Sequence, residues 1–526
     1  MPREILNINS YQTELAAVKE KVRRIPVCLI IPPSPFLADE RVFPFLGPIK
    51  VAAELRKNGN PVDVLDLSGF SNYKDIVHEY VKSSEVKVFG LTATSPQFPN
   101  AVEIRQTIKK VNPDSVVILG GPHVTLTQTA ALEDVRVKRL GRGTHAFNQI
   151  TNYFDRVVVG DGEMSIFQAI NPDPREQVVD AGSRKSPLYI QRGQLDNFEY
   201  PARNLIDLAS YKYYIDGYRS FSVIAQLGCP FECGFCGGRL SPVFRTARSR
   251  GIESVMDEIE TTMEYGKSIG VDYRGVMFYD DELNVLPDNL EELCKRLIDL
   301  QNKLGLEMRF RGFVKAELFT PLQAKLMYKA GFRILLSGVE SGSDEILKTM
   351  RKHTTREINA KCVEFAHGAG LKFKALMSIG HPGESEETVR ASIDWALKHL
   401  RPGDDIDWTI ITQYPGSPYF DRSEFIKEKG AWLYTEPVTE NELWSREVDF
   451  STNAEYYKGV PGSYTAFVWT KELSAQRLVE LRDHAEQVTR RMLGLPLIAF
   501  ANVQQFEHSM GQGRLPQNIL KRSYQD

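Results

Sequence analysis

The sequence lacks the features that mark several large classes of protein. No apolar run reaches the ~18 residues that a membrane-spanning helix requires, and the N-terminus carries an early acid, Glu4, without the apolar segment of a secretion signal. Neither sign of charge is in excess, because 65 Lys and Arg residues face 68 Asp and Glu residues. The net charge of −3 argues against a surface built for nucleic-acid phosphates. We therefore expect a cytoplasmic protein without a membrane span or a nucleic-acid partner.

Cysteine is also scarce, since six in a chain of 526 residues are too few for a disulfide scaffold. Three of them lie apart in apolar stretches and are interpreted as buried, inert thiols: Cys28, Cys294 and Cys362. The other three lie close together at CxxxCxxC spacing: Cys229, Cys233 and Cys236. This cluster requires a chemical explanation.

The first third of the chain has the pattern of an α/β domain. Short β-branched runs alternate with amphipathic helical patterns, which is typical of βαβ units on a parallel sheet; the runs are 27–31, 62–66, 86–92, 115–120 and 156–159. Most of these runs end in a loop of small or turn residues. In open α/β sheets, ligands bind outside the carboxyl ends of the strands. These loops are therefore either a binding edge or ordinary turns, and loop chemistry alone leaves both open.

The alternation resumes after residue 222 and predicts a second domain. Six strand-like runs separated by helical patterns indicate a partial (β/α)6 TIM-type barrel, with its site at the carboxyl ends of the strands. The expected organisation is an N-terminal extension (1–24), a Rossmann-like, flavodoxin-type domain (25–165), a linker (166–214), the barrel (215–420) and a small, α-rich C-terminal domain (421–526). Aromatic residues in the last segment either line a substrate pocket or pack that domain.

The three clustered cysteines follow the first barrel strand and so lie at the predicted catalytic rim. Structural zinc takes four protein ligands, and a fourth is not obvious here. Three thiolates on a four-iron cluster leave one iron open to bind another molecule. The sequence therefore favours a 4Fe-4S cluster on Cys229, Cys233 and Cys236, with a zinc site or a disulfide as the alternative.

CxxxCxxC with an aromatic residue before its last cysteine resembles the motif of radical S-adenosylmethionine (SAM) enzymes. Three later segments resemble further motifs of that family: GVESGS (338–343), GHPGE (380–384) and YPGSP (414–418). The resemblance implies SAM contacts at Phe235, Asp281, Arg311, Glu340, Ser341, Gly380 and Pro382. Asp281 and Arg311 could equally belong to an ion pair at the barrel rim.

The segment before the barrel resembles the cobalamin-binding domain found in one branch of that superfamily. Its loops TSP (94–96), GGPH (120–123) and GDGE (160–163) match in order. The resemblance implies cobalamin contacts at Pro32, Ser34, Thr94, Ser95, Gly120, Gly121, His123, Gly160, Asp161, Gly162 and Glu163. An Asp-x-His-x-x-Gly ligand pattern is absent, so His123 is interpreted as a turn or phosphate-side contact and not as a cobalt ligand. The spacing before GDGE indicates an inserted excursion around Arg142.

Together these resemblances imply a cobalamin-dependent radical SAM methyltransferase. It would methylate an unactivated carbon of a small molecule or natural product through a 5′-deoxyadenosyl radical and methylcobalamin, with electrons from a donor such as flavodoxin or ferredoxin. No catalytic side chain is assigned. The alternatives are an enzyme with the same cofactors that catalyses a ring closure, oxidation or rearrangement, a cofactor-based sensor, and a cobalamin fold without its ligand.

Overall fold

The computed structural model describes residues 8–496, except for 35, 36, 38, 39, 175 and 457–463. The polar tail expected from about residue 511 lies outside this range. No helix in these described segments is long and apolar enough to cross a membrane. The first part of the chain forms α1 Ile8–Val22, β1 Val27–Ile31, α2 Leu46–Lys57, β2 Val62–Asp66, α3 Tyr73–Ser83, β3 Val88–Thr92, α4 Phe98–Val111, β4 Val116–Gly120, α5 Pro122–Arg136, α6 Arg142–Tyr153, β5 Arg156–Gly160, α7 Gly162–Ala169 and β6 Val178–Ala181.

The first sheet is parallel throughout and has the strand order β2-β1-β3-β4-β5-β6. Its first five strands are in the flavodoxin order, which confirms the predicted Rossmann-like domain. The inner strands are almost fully buried because helices cover both faces. Strand β6 was not predicted. It is a four-residue edge strand with Val178 and Val179 only half-buried, so its apolar pattern is weak, and it lies in the segment interpreted as a linker.

The second part of the chain forms the predicted barrel. Its elements are β7 Tyr213–Ile215, β8 Tyr218–Val223, β9 Gln226–Leu227, α8 Pro242–Arg245, β10 Arg248–Ser249, α9 Ile252–Ser268, β11 Gly275–Phe278, α10 Pro287–Leu304, β12 Arg309–Phe313, α11 Pro321–Ala330, β13 Phe332–Glu340, α12 Asp344–Thr349, α13 Arg356–Gly368, β14 Lys372–Ile379, α14 Glu386–His399 and β15 Asp405–Ile410. Six parallel strands follow the order β8-β11-β12-β13-β14-β15, and antiparallel β7 flanks β8. This confirms the partial (β/α)6 barrel.

The C-terminal segment combines one long helix with a small sheet. It contains α15 Pro418–Asp421, β16 Glu424–Ile426, β17 Ala431–Thr435, β18 Glu442–Ser445, β19 Val468–Trp469 and α16 Ala475–Leu493. Helix α16 packs along β15, where the Trp408 indole donates to the Thr489 hydroxyl at 3.0 Å. The antiparallel sheet β16–β19 was not predicted, because its strands are short. The stacked rings of Trp444 and Trp469, 6.4 Å apart, show that these two aromatics pack within that sheet.

The insertion predicted between β4 and β5 is a pair of packed helices, α5 and α6. This helical hairpin packs against the C-terminal segment. Its anchor is Arg142, whose buried guanidinium lies 3.8 Å from the Phe420 ring centroid and 4.8 Å from that of Trp432. The same group donates to the carbonyl of Phe420 at 3.1 Å and to the Ser423 hydroxyl at 2.8 Å. Burial lowers its pKa to about 9. The insertion therefore fixes the first domain against the end of the barrel.

We expect Arg142→Met to destabilise the protein by about 2 kcal/mol, because the buried carbonyls and hydroxyl lose their donor while the apolar stem is kept. The matched control is Arg136→Met on the same hairpin, where the guanidinium is exposed and pairs with Glu133, so stability should hardly change. Denaturant titration of both variants measures the difference. Equal effects at the two positions would contradict the anchoring role.

Candidate functional site

The loop that carries the three cysteines is held at its start by the segment after β11 and by the end of α8. Gly228 has φ +87°, and a Cβ there would lie 2.2 Å from the Thr246 carbonyl oxygen, so only glycine fits. Its amide donates to a carboxylate oxygen of Asp281 at 2.6 Å. The next amide, of Cys229, donates to the Phe244 carbonyl at 2.8 Å. These contacts fix the direction of the backbone at Gly228 and Cys229, where the loop begins.

The middle of the same loop is clamped from two sides. The Gly234 amide donates to the carbonyl of Met350, just after α12, at 2.8 Å. The Gly234 carbonyl accepts from the Tyr419 amide in α15 at 3.1 Å. Phe235 lies edge-on to His381 with ring centroids 5.3 Å apart. The position of Cys233 and Cys236 therefore depends on three separate parts of the barrel.

Burial and one cation act in opposite directions on the thiols of the loop. Burial raises the pKa of Cys229 and raises that of Cys236 to about 11, while the buried Arg239 guanidinium opposes both shifts. Arg239 also donates to the carbonyl of Cys229 at 3.0 Å and to that of Phe231. Across the described segments, no three His, Cys, Asp or Glu side chains converge on a single-ion site. A 4Fe-4S cluster takes its thiolates on separate irons, whereas structural zinc takes four ligands on one ion, so three thiols suit the cluster.

A chain of polar groups joins the fourth and fifth barrel strands beside this loop. Glu340 ends β13 with φ +64°, a conformation that non-glycine residues rarely adopt outside functional sites. Its carboxylate accepts from the Lys352 ammonium at 3.2 Å and from the Ser378 hydroxyl at 2.9 Å. That hydroxyl is 2.8 Å from His381 Nε2, and burial lowers the pKa of His381 to about 3. The structure therefore brings the GVES and GHPG segments together at the cysteine loop.

The remaining predicted SAM residues on these strands have structural partners. The hydroxyl of Ser341 is 3.0 Å from that of Ser392 in α14. Gly380 has φ +88° and begins the turn through Pro382, which closes when the Glu384 amide donates to the His381 carbonyl at 3.0 Å. These residues shape the strand ends at the barrel mouth.

Three acids close the second barrel strand after β11, and the resemblance assigned only Asp281 among them to SAM. Asp280 accepts from the Ala225 amide at 3.1 Å, and Asp281 holds Gly228 as described above. Glu282 is half-buried, and one of its carboxylate oxygens is shielded from solvent and has no hydrogen-bond partner within the described structure. Burial raises its pKa to about 7, against the attraction of Lys352 and Lys315. Asp281 therefore positions the loop, and Asp280 and Glu282 each keep one shielded carboxylate oxygen without a hydrogen-bond partner in the described structure.

Arg311, which was predicted to contact SAM, lies in the middle of β12 and not at the carboxyl end of that strand. It is in register with Met277 and Ile334, and Ile334 pairs with Lys372, six residues before Ser378 on the same strand. Its guanidinium donates to the Tyr213 hydroxyl of β7. Burial lowers its pKa. The structure thus separates Arg311 from the Glu340–Ser378 group by most of a strand.

The sheet edge predicted to hold cobalamin is tied together by its own side chains. Gln97 donates to the Ser34 hydroxyl at 2.9 Å and to the Pro32 carbonyl at 3.2 Å, while Thr94 caps the same turn. Ser95 lies 3.0 Å from His123 Nδ1. These contacts bring the loops after β1, β3 and β4 to one edge, as the parallel sheet predicts.

His123 is fully buried at this edge. Its ring lies 4.5 Å from that of Phe98 and 5.7 Å from that of Phe450 in the C-terminal segment, and burial lowers its pKa to about 3. Gly121 beside it has φ +96°, and a Cβ there would lie 2.5 Å from Thr92. This glycine is therefore required by the protein's own packing, whatever binds outside it.

The fifth-strand loop pairs its acids with cations. Asp161 binds the buried Arg248 of β10, and Glu163 lies 2.8 Å from Lys50 of α2. The first pair joins the two domains directly. The backbone nonetheless remains half-exposed along the edge, at Gly120, Gly121, Gly160 and Gly162. Small residues with accessible backbone fit close approach by a large flat cofactor.

The two edges face each other. Leu126 in α5 packs against Gly237, next to Cys236, and against Gly416 at the end of the sixth barrel strand. From the loop after β1, Phe43 packs inside the half-barrel with Met277 and Leu336. The carboxyl ends of both sheets therefore open toward one another.

Several residues of this site carried no signal in the sequence. Lys352 and Lys315 lie in segments without a motif, and only the folded chain brings Lys352 to Glu340 and places Lys315 over the Phe231 ring at 4.5 Å. Arg239 and Arg248 follow the cysteines but have no recognisable spacing. Glu282 could have been found, because it ends the acidic run that contains the predicted Asp281.

Comparison with known proteins identifies both halves of this site. The model of the B12 binding domain matches residues 46–151, and that of the Radical SAM superfamily matches residues 223–396. The chain belongs to the cobalamin-dependent branch of the radical SAM superfamily. It is a radical SAM enzyme, and its cofactors are a 4Fe-4S cluster, SAM and cobalamin.

Individual relatives are distant but cover much of the chain. The uncharacterized methyltransferase PH0819 of Pyrococcus horikoshii is 27% identical over 421 residues, 74% of this chain and 81% of the relative. The anaerobic magnesium-protoporphyrin IX monomethyl ester cyclase of Rubrivivax gelatinosus is 25% identical, over 69% of this chain and 63% of that one. The radical SAM methyltransferase TsrM from Kitasatospora setae, solved with cobalamin and a 4Fe-4S cluster, shares the fold with a TM-score of 0.58 at 18% identity, over 91% and 90% of the two chains.

Glu384 in the GHPGE turn generates a pH-dependent prediction. Burial raises its pKa to about 7, above the ordinary value of 4.5. Its stabilising contribution is therefore complete below about pH 4.5 and is lost as the pH rises through 7. Relative to Glu384→Gln, the wild-type protein should lose on the order of 2 kcal/mol of unfolding free energy between pH 5 and pH 8.

Denaturant titrations at the two pH values measure this difference. The control is Glu386→Gln, an exposed acid two residues away that pairs with Arg477. Its difference from wild type should stay nearly constant over the same interval. A constant difference for Glu384→Gln as well would contradict the buried, protonated carboxyl.

Replacement of any one of Cys229, Cys233 or Cys236 by alanine should sharply reduce the iron and sulfide bound after anaerobic reconstitution, because each thiolate binds a separate iron. Cys362→Ala, which removes a buried thiol from α13, is the control and should retain the full cluster. Metal analysis and the visible absorbance of the reduced and oxidised protein report the outcome. Zinc bound in place of iron would argue against the assignment.

Proposed function

We propose that this enzyme methylates an unactivated carbon of a small molecule or natural product. The family membership supplies the three cofactors that such a reaction needs, and PH0819 and TsrM both bear methyltransferase names. The observation that carries the proposal is the packing of Leu126 against Gly237, which puts the cobalamin-binding domain next to the cysteine loop. Radical formation and methyl donation can then take place in one enclosed space.

The residues proposed to hold each cofactor follow from the site. Cys229, Cys233 and Cys236 would hold the cluster, and Glu340, Ser341, Gly380 and Pro382 would line the SAM pocket. The loops after β1, β3, β4 and β5 would hold cobalamin. When bound, the cluster with SAM supplies hydrogen abstraction from carbon, and cobalamin supplies methyl transfer.

The chain's own contribution is orientation, charge and exclusion of water. The ammonium of Lys352, held by Glu340, puts a positive charge beside the cysteine loop. Glu282 offers a buried carboxylate oxygen to a cationic group, such as the amino group of SAM. Phe450 and Tyr414, with ring centroids 6.3 Å apart, extend the C-terminal segment over the cobalamin edge. We propose that this segment encloses the substrate, and that the enzyme works in the reducing cytoplasm, where an electron donor protein is present.

A second candidate keeps all three cofactors but forms a ring or oxidises its substrate without methyl transfer. The cyclase of Rubrivivax gelatinosus among the relatives favours it. Nothing in the arrangement of Glu282, Glu340 and Lys352 distinguishes the two reactions, because both begin at the same strand ends.

The mass of the product separates the two candidates. Anaerobic reactions with substrates drawn from neighbouring genes, run with SAM carrying a deuterated methyl group, should give products heavier by one labelled methyl group per event. The same reactions with the Cys233→Ala variant serve as the control. Products of unchanged mass, or lighter by two hydrogens, would replace methylation by the cyclase-type reaction.

A further inference from the structure

The tip of the α5–α6 hairpin exposes a concentrated apolar surface. Twelve large hydrophobic side chains are exposed in the described chain, and four of them lie within nine residues. We call these four the tip patch: Leu132, Val135, Val137 and Leu140, with Leu140 94% exposed. Single exposed apolar residues are ordinary, but a group of this kind marks a surface that contacts another molecule.

The charges around the tip patch are basic. Arg136 and Lys138 are exposed between its apolar side chains, but Arg136 is paired with Glu133, so Lys138 gives the turn its net charge of +1. The two acids of the same turn are already neutralised within the hairpin, since Glu133 pairs with Arg136 and the buried Asp134 pairs with Arg139 at 2.7 Å. An apolar surface with a net positive charge complements a partner with an acidic face.

The tip patch is connected rigidly and closely to the cysteine loop. Arg139, next to Leu140, donates to the carbonyls of Asp421 and Ser423. Asp421 lies two residues after Tyr419, whose amide donates to the Gly234 carbonyl between Cys233 and Cys236 at 3.1 Å. The path of contacts from the tip patch to the cluster ligands therefore consists of two hydrogen bonds and one turn of α15.

The chemistry of this enzyme requires an external electron. Outside the CxxxCxxC loop the chain has only three cysteines, and they are buried in three different elements, β1, α10 and α13. Electrons must therefore enter across the protein surface from a partner.

We propose that the tip patch is the docking surface for a small, acidic electron-transfer protein of the flavodoxin or ferredoxin class. The donor loses one electron and the cluster gains one, with no transfer of atoms. Complexes of this kind are transient and bury less than about 1,200 Å². A patch of four apolar side chains with Lys138 among them suits an interface of that size. The proposal rests on the function proposed above only in requiring a cluster that is reduced from outside.

The test uses the anaerobic, cluster-loaded enzyme without substrate, so it does not depend on methylation. Stopped-flow absorbance measures the rate of cluster reduction by a reduced acidic flavodoxin and, separately, by dithionite. In the variant Lys138→Glu with Leu140→Asp, we expect the flavodoxin-driven rate to fall at least tenfold and flavodoxin binding, measured by calorimetry, to weaken equally. The dithionite-driven rate should stay unchanged. The wild-type flavodoxin rate should also fall as salt is added.

The matched control changes the same residue types on α11 of the barrel, Leu322→Asp with Lys325→Glu, where Leu322 is 74% exposed. It should leave both rates at the wild-type level. The proposal is overturned if the tip variant keeps its flavodoxin rate, if it slows equally with dithionite, or if the control slows as much. It is also overturned if the wild-type protein dimerises and the tip variant becomes monomeric with an unchanged flavodoxin rate, since the patch would then join two copies of this chain.

Discussion

The site depends on the clamping of one short loop from three directions. The CxxxCxxC segment has little regular structure of its own, so its thiols stay in place only through contacts to other elements. Asp281 holds its start, the carbonyl of Met350 and the amide of Tyr419 hold its middle, and Arg239 bonds its inner carbonyls. Because these contacts are mostly to backbone groups, the loop's shape is set by the fold of the barrel and of the segment after it.

The inserted hairpin extends the same constraint to the first domain. Arg142 is buried between aromatic rings and carbonyls of the C-terminal segment, and Leu126 on the same hairpin contacts the cysteine loop. The ion pair of Asp161 with Arg248 adds a second link between the domains. The distance between the two cofactor-binding edges is therefore determined by packing, as transfer between two cofactors requires.

Much of this arrangement could be predicted from the sequence. Buried parallel strands have long apolar runs, so the flavodoxin-type sheet and the six parallel barrel strands were both predicted correctly. The short edge strands β6 and β7 and the sheet β16–β19 were missed because two to five residues carry little periodicity. The roles of Asp161 and Glu163 also could not be read, since their cationic partners lie far away in sequence. Lys352 could not be identified from the sequence for the same reason, because its role in the site comes from its burial beside Glu340.

The account's central claim is that a cubane cluster and a corrin occupy facing edges of one chain. Electron paramagnetic resonance of anaerobically prepared protein, with the cluster reduced and the cobalt in its paramagnetic divalent state, tests it directly. The account predicts that both signals occur in the same sample and broaden each other through magnetic coupling. Two signals that behave independently, or a protein that takes up no corrin, would contradict it.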